Sequence, residues 1–295
     1  MEYKIFCNIL NKQIFESSKK DLIEKIAKYP DRYIGLFRPT KPKAKILQNL
    51  LQSNEIRFGD ALEILFEKYF EQLGFLNLEK RIGSGKEYLD LDQIFKNNNT
   101  IYFIEQKVRD DHDSTKKRGQ ISNFEKKINA LLKIYKEKDL KCYTYFVDPG
   151  LIKNKKYYTQ ELNKIHSDYN VFTQLCYGKE LWEEICHPEI WEELLYYLKR
   201  WKIEIPDMPS INFDEDAKNT FEEIKDLDVS IFRKLFNNKE ICNEILPILF
   251  PENKVLKLLN KYFKEKINEG SIYKTLSNKV MEIISKGQGA SPNIR

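Results

Sequence analysis

Two aspartates, Asp90 and Asp92, stand two residues apart before an asparagine-rich turn, and Glu105 and Lys107 stand two residues apart after it. Carboxylates brought face to face repel one another, and a divalent cation reconciles them. Oxygen ligands with open positions suit Mg²⁺, which keeps several waters and can meet a substrate phosphate. A lysine beside such a pair can lower the pKa of an attacking water, orient it, or neutralise charge growing on phosphorus, while the cation serves as Lewis acid and template. Two carboxylates and one ammonium group on a hairpin suffice for phosphodiester hydrolysis.

The hairpin must position them. Tyr88 to Phe95 alternates as a strand does, Lys96 to Thr100 forms the turn, and Ile101 to Val108 is a second strand rich in β-branched and aromatic residues. Side chains alternate between faces, so Glu105 and Lys107 share one face, as do Asp90 and Asp92 on the partner strand. A turn centred between Asn98 and Asn99 puts Asp92 opposite Glu105, and a turn centred one residue earlier puts Asp90 there. Asp92, followed closely by Ile94 and Phe95, is the preferred partner.

Other elements follow from apolar spacing. Ser18 to Lys28 reads as a helix with Ser18 as its N-cap, stopped by Pro30. The basic residues Arg38, Lys41, Lys43 and Lys45 lead into a helix through Leu47, Leu50 and Leu51, either solvated or facing phosphate. Gly59 to Leu73 is an amphipathic helix ended by Gly74, and Gln120 to Lys138 is another. Lys141 to Val147 and Val171 to Cys176 read as strands, and Lys179 to Cys186 and Pro188 to Trp201 as helices. Trp182, Trp191 and Trp201, with Tyr196 and Tyr197, read as core aromatics of those helices. After Pro206 and Pro209 the chain is almost wholly helical, ending in a frayed tail from Gly287 to Arg295.

The triplet Glu105-Gln-Lys107 with an aspartate on the preceding strand resembles the PD-(D/E)XK nuclease superfamily. The proline of that pattern is missing, because Leu89 precedes Asp90 and Leu91 precedes Asp92, so the choice of aspartate stays open. Two flanking features are similar as well: Glu63 on the upstream helix, and Gln120 opening the downstream one. The resemblance implies an α/β fold, a small mixed central sheet flanked by helices with helical additions at both ends. It implies catalytic roles for Asp92 or Asp90, Glu105, Lys107, Glu63 and Gln120, with Mg²⁺ held by Asp92, Glu105, Glu63 and the Gln106 backbone carbonyl, and Mn²⁺ able to substitute.

Within the superfamily, the polar loop after Val108 resembles that of a type II restriction endonuclease. That implies a duplex-DNA contact through Arg109, Asp113, Ser114, Thr115, Lys116, Lys117 and Arg118, in which arginines read base edges and lysines meet phosphates. A homodimer matched to a palindromic target is implied, with a cognate DNA methyltransferase as a genetic companion rather than a bound subunit. A repair or recombination nuclease, an RNA-directed nuclease and a non-catalytic DNA-binding protein are the rival readings.

Composition sets the frame. With 41% apolar and 32% charged residues the 295-residue chain has what a folded core needs. The net charge of +5 is too small to name a partner, although Lys107 to Asp139 carries ten Lys or Arg against six Asp or Glu. Five scattered cysteines lack the close pairs of a zinc site or a secreted disulfide framework. No apolar run is long enough for a membrane span, and a cytoplasmic protein is expected. Three parts are expected: a helical region over 1–57, the catalytic core over 58–206, and a helical region over 207–295.

Overall fold

The computed structural model describes residues 1–84, 87–135 and 139–287, so the end of the helix expected to reach Lys138 and the expected tail after Gly287 lie outside the described residues. The chain begins with α1 (Tyr3–Phe15), α2 (Ser18–Lys28), α3 (Asp31–Ile34) and the 31-residue α4 (Pro42–Gln72). Strands β1 (Leu76–Asn77), β2 (Arg81–Ser84), β3 (Glu87–Asp90), β4 (Gln93–Asn97) and β5 (Thr100–Lys107) follow. Next come α5 (Ser114–Ile134), β6 (Asp139–Phe146), α6 (Lys155–Tyr169), β7 (Phe172–Tyr177), α7 (Lys179–Glu184) and α8 (Pro188–Glu204). The rest is helical: α9 (Ala217–Ile224), α10 (Val229–Asn237), a π-helical turn (Ile241–Ile245), α11 (Leu246–Leu249), α12 (Lys254–Glu265) and α13 (Ser271–Gly287).

These elements form two compact units. One comprises Met1–Gln13 and Phe58–Ile205 and holds the sheet. Its strand order is β1-β4-β5-β6-β7, with β1, β4 and β5 antiparallel and β5, β6 and β7 parallel. Parallel neighbours need long crossovers, which α5 and α6 supply. The mixed sheet flanked by helices is the α/β fold that the sequence led us to expect.

Alternation along the strands sorts the two faces. Ile94, Ile101, Phe103 and Cys142 pack with Phe124, Ile128 and Leu131 of α5 and with Tyr158 and Leu162 of α6. On the other face, α4 presents Phe66 and Phe70, which meet Phe95, Tyr145 and the fully buried Trp182, with Phe70 stacked on Phe95 at 4.0 Å. Trp191 and Trp201 are buried as core aromatics, but Tyr196 is exposed.

The second unit comprises Ile14–Arg57 and Pro206–Arg295. Leu22, Ile26 and Tyr33 share its core with Phe232, Leu235, Leu256 and Phe263. Arg57 closes its N-terminal part by donating to the carbonyls of Ile14 and Glu16 and pairing with Asp21. Buried Asp214 accepts the amides of Glu252 and Val255, which ties the start of the later helices to the turn before α12.

Three local expectations are corrected. Ser18 lies inside the first turn of α2, and the preceding Ser17, in the left-handed conformation, is the cap residue. The two helices expected before and after Gly59 are one. Gly59 sits inside α4, where an added Cβ would meet Val108 at 3.5 Å, an ordinary van der Waals contact, so the glycine neither ends the helix nor is required by packing. Tyr88 to Phe95 is not one strand either. It breaks at Leu91 and Asp92, and β3 pairs with β2 in a separate two-stranded sheet. The break has a packing cause: Leu91 is buried in the α5-side core, and its amide donates to the Lys80 carbonyl at 2.8 Å.

Candidate active site

The β4–β5 ladder pairs Asn97 with Thr100 and Gln93 with Ile104, so its turn is centred between Asn98 and Asn99 and the next position opposite Glu105 is Asp92. Asn98 adopts a positive φ of 54°, which asparagine tolerates and which closes this tight connection. Along β5, Ile101 and Phe103 face α5, and Glu105 and Lys107 continue the same column to the strand's C-terminal end.

There the charges converge. Lys107 Nζ donates to Asp92 Oδ2 at 2.6 Å and to the Gln106 carbonyl at 2.8 Å, and lies 3.2 Å from Glu105 Oε1. The Gln106 amide donates to the same Asp92 oxygen at 2.9 Å. Burial alone would lower the Lys107 ammonium, but the charges of Glu105 and Asp92 and hydrogen bonds to both hold it above its ordinary value. It therefore stays protonated at neutral pH and acts as a cation, not as a base.

A second lysine was not foreseen. Lys127, on α5, is buried and donates to Glu105 Oε2 at 2.6 Å, with Asp92 Oδ1 3.8 Å away. The signal was present: Lys127 interrupts the apolar stripe of Phe124, Ile128 and Leu131, and a charge on a buried stripe requires a partner.

The structure separates the other candidates. Asp90 is not in this cluster; it lies on β3 opposite Arg81, with its side chain 82% exposed. Glu63, expected among the ligands, lies near enough to Asp92 and Lys107 to feel their charges, although among the described residues no three His, Cys, Asp or Glu side chains gather into one metal-holding group. It does stand apart from its row. Glu67 binds Lys80 and Glu71 binds Asn77, whereas Glu63 is pushed up to about 7, first by burial and then by the charge of Asp92.

That shift has a testable sign. The folded value of Glu63 lies above that of the unfolded chain, so its contribution to stability is fully present below the unfolded value and is lost as pH rises through about 7. In the metal-free protein, Glu63→Gln is expected to raise the melting temperature by about 3 °C at pH 8 and by less at pH 5. Thermal melts in chelator at the two pH values check this, and equal shifts contradict it.

The segment expected as a DNA-reading loop through Gln120 is shorter. Asp113 accepts the Thr115 and Lys116 amides at 3.0 and 2.8 Å as an N-cap, so Ser114, Thr115, Lys116, Lys117, Arg118 and Gln120 lie on α5. Gln120 therefore does not open the helix. Its Oε1 accepts from Tyr158 and its Nε2 lies 3.4 Å from the half-buried His112. Lys117 donates to Asn154 Oδ1 at 3.1 Å, over the Tyr157 ring. Thr115, Lys116 and Arg118 are exposed on the first turns of α5, and Arg109 is exposed just before them.

Asp110 holds this segment in place. Fully buried, it accepts from the Asn154 amide and side chain at 2.7 and 2.8 Å and from the Tyr177 hydroxyl at 2.9 Å, which joins the β5–α5 connection to α6 and β7. A carboxylate satisfied by three donors inside the protein is a structural clasp.

In comparison with known proteins, a family model described as type II restriction endonuclease, HinfI, matches residues 2–85 and 76–202, together more than half of the chain. No curated protein and no solved structure gives a match.

Proposed function

The chain belongs to the HinfI family of type II restriction endonucleases, and from that premise we propose that it hydrolyses double-stranded DNA at a defined sequence, with Mg²⁺ held by Asp92 and Glu105. One observation carries this reading: Asp92 Oδ2, Glu105 Oε1 and the Gln106 carbonyl converge on a single cationic atom, Lys107 Nζ. Hard oxygens that already gather around an ammonium group form a donor set suited to Mg²⁺, and to Mn²⁺ in its place. Bound there, the metal would supply Lewis acidity to the scissile phosphate.

The protein's own groups do the rest. Lys107, held protonated, would move from the carboxylates toward the reacting phosphate, orient the attacking water and offset the charge that grows on the phosphoryl oxygens. The Gln106 amide and Lys127 would hold the two carboxylates in register. Arg109, Thr115, Lys116 and Arg118, beside the strand end that carries Lys107, would meet the duplex, with phosphate contacts setting register and arginines reading base edges. Lys117 would join them by leaving Asn154, while Asp113 and Ser114 would shape the helix start. A homodimer would present two such sites to a palindromic target, in a cytoplasmic protein whose host DNA a companion methyltransferase protects.

Digestion of unmethylated phage DNA by the purified full chain with Mg²⁺, followed by sequencing of the ends, tests the reading. Discrete fragments that share one end sequence are expected, with Mn²⁺ supporting the same pattern. A smear of unrelated ends, cleavage of RNA alone, or salt-sensitive binding without scission would overturn it.

A further inference from the structure

Glu105 and Asp92 are each approached from two sides. Lys107 takes Asp92 Oδ2 and Glu105 Oε1, and Lys127 takes Glu105 Oε2 and faces Asp92 Oδ1. Two ammonium groups thus flank one carboxylate pair, as two metal ions about 4 Å apart flank the carboxylates of a two-metal site.

The two lysines are not equivalent. Lys107 ends β5 with its side chain 31% exposed, so its long stem has solvent or a phosphate to swing toward when a metal takes its place on the carboxylates. Lys127 is 4% exposed, on the face of α5 that carries Phe124, Ile128 and Leu131. If Lys127 withdrew from Glu105, an unpaired ammonium would be left among apolar side chains and an unpaired carboxylate oxygen beside it. A metal can therefore displace the first ammonium and not the second.

We propose that Lys127 is a resident second cation, a positioning residue that occupies the far oxygens of Glu105 and Asp92 and limits the site to one divalent ion. This rests on the metal-site reading above. With Lys127 in place, Asp92 and Glu105 have one shared negative charge left for a metal once Lys107 has swung away. Removing Lys127 restores the second charge and frees Oε2 and Oδ1, which creates room for a second ion.

Counting Mn²⁺ on the full chain by electron paramagnetic resonance tests the proposal without any reliance on cleavage. One bound ion per chain is expected for the native protein, and two for Lys127→Met, with the dipolar broadening of a close Mn²⁺ pair. Lys127→Arg, which keeps the charge, is expected to bind one. Two ions on the native chain, or one on Lys127→Met, would overturn the proposal, and the native count decides even if the methionine variant does not fold. Asp92→Asn separates the two levels of argument. It is expected to lose tight Mn²⁺ binding, and if it binds as the native chain does, the metal-site reading fails and the proposal with it.

Discussion

Lys107→Ala is expected to lower the single-turnover rate of duplex cleavage on the order of 10³-fold while leaving DNA affinity in Ca²⁺ within about twofold. The first number follows from the loss of a positioned cation that acts on charge developing in the transition state, an effect of about 10²–10³ for a single donor elsewhere. Lys107 is also the group that would orient the attacking water, so the loss falls at the upper end. Affinity would be spared if, as proposed, phosphate contacts by Arg109, Lys116 and Arg118 supply most of the binding. Quenched-flow cleavage beside filter binding separates the two quantities. A rate within tenfold of the native enzyme would remove Lys107 from the chemistry.

Asp92→Asn is expected to be at least as damaging, whereas Asp90→Ala is expected to cleave at close to the native rate. Asparagine keeps the shape of Asp92 and can still accept the Gln106 amide, so the fold of the hairpin survives. It removes one of the two charges that would hold the metal, and it leaves Lys107 and Lys127 sharing Glu105 alone. Mg²⁺ should then no longer raise the melting temperature, because an ion stabilises the fold only in proportion to its affinity for it. Asp90, exposed and loosely paired with Arg81 at 3.8 Å, has no comparable role. The opposite ranking, with Asp90→Ala inactive and Asp92→Asn active, would show that the wrong aspartate has been placed at the site.

How much of this was legible in the sequence depends on which force set each element. The three asparagines of the turn left two β4–β5 registers open, and the preference for Asp92 rested on the apolar Ile94 and Phe95 that follow it; the ladder has the turn centred between Asn98 and Asn99. The break between β3 and β4 was hidden, because apolar–polar alternation runs through Leu89, Asp90, Leu91 and Asp92 across the point where the chain changes sheets. The start of α5 was missed for a related reason. Its first apolar contact is Ile121, so the charged turn before it has no period to read, although Asp113 ahead of two free amides carries a capping signal. Helix α6 was overlooked because Tyr158, Leu162 and Ile165 are its only buried residues, set among lysines and polar groups.

Of the candidate site, the sequence yielded the members on the hairpin and not the one on the helix. Asp92, Glu105 and Lys107 are close in the chain, and strand geometry relates them directly. Lys127 lies one crossover away, and its meeting with Glu105 depends on α5 packing Phe124 against Phe103, a tertiary contact that no local spacing encodes. The site is accordingly buried on its α5 side, where Lys127 is 4% exposed, and more open at Lys107, which is 31% exposed.

The most direct measurement is the position of Mn²⁺, located by anomalous scattering in crystals of the full chain grown with that ion. A peak within bonding distance of Asp92 Oδ2, Glu105 Oε1 and the Gln106 carbonyl is expected, with Lys107 Nζ moved off those oxygens and Lys127 still on Glu105. A peak elsewhere, or none beside Asp92 and Glu105 in a preparation that cleaves DNA with Mn²⁺, would contradict it.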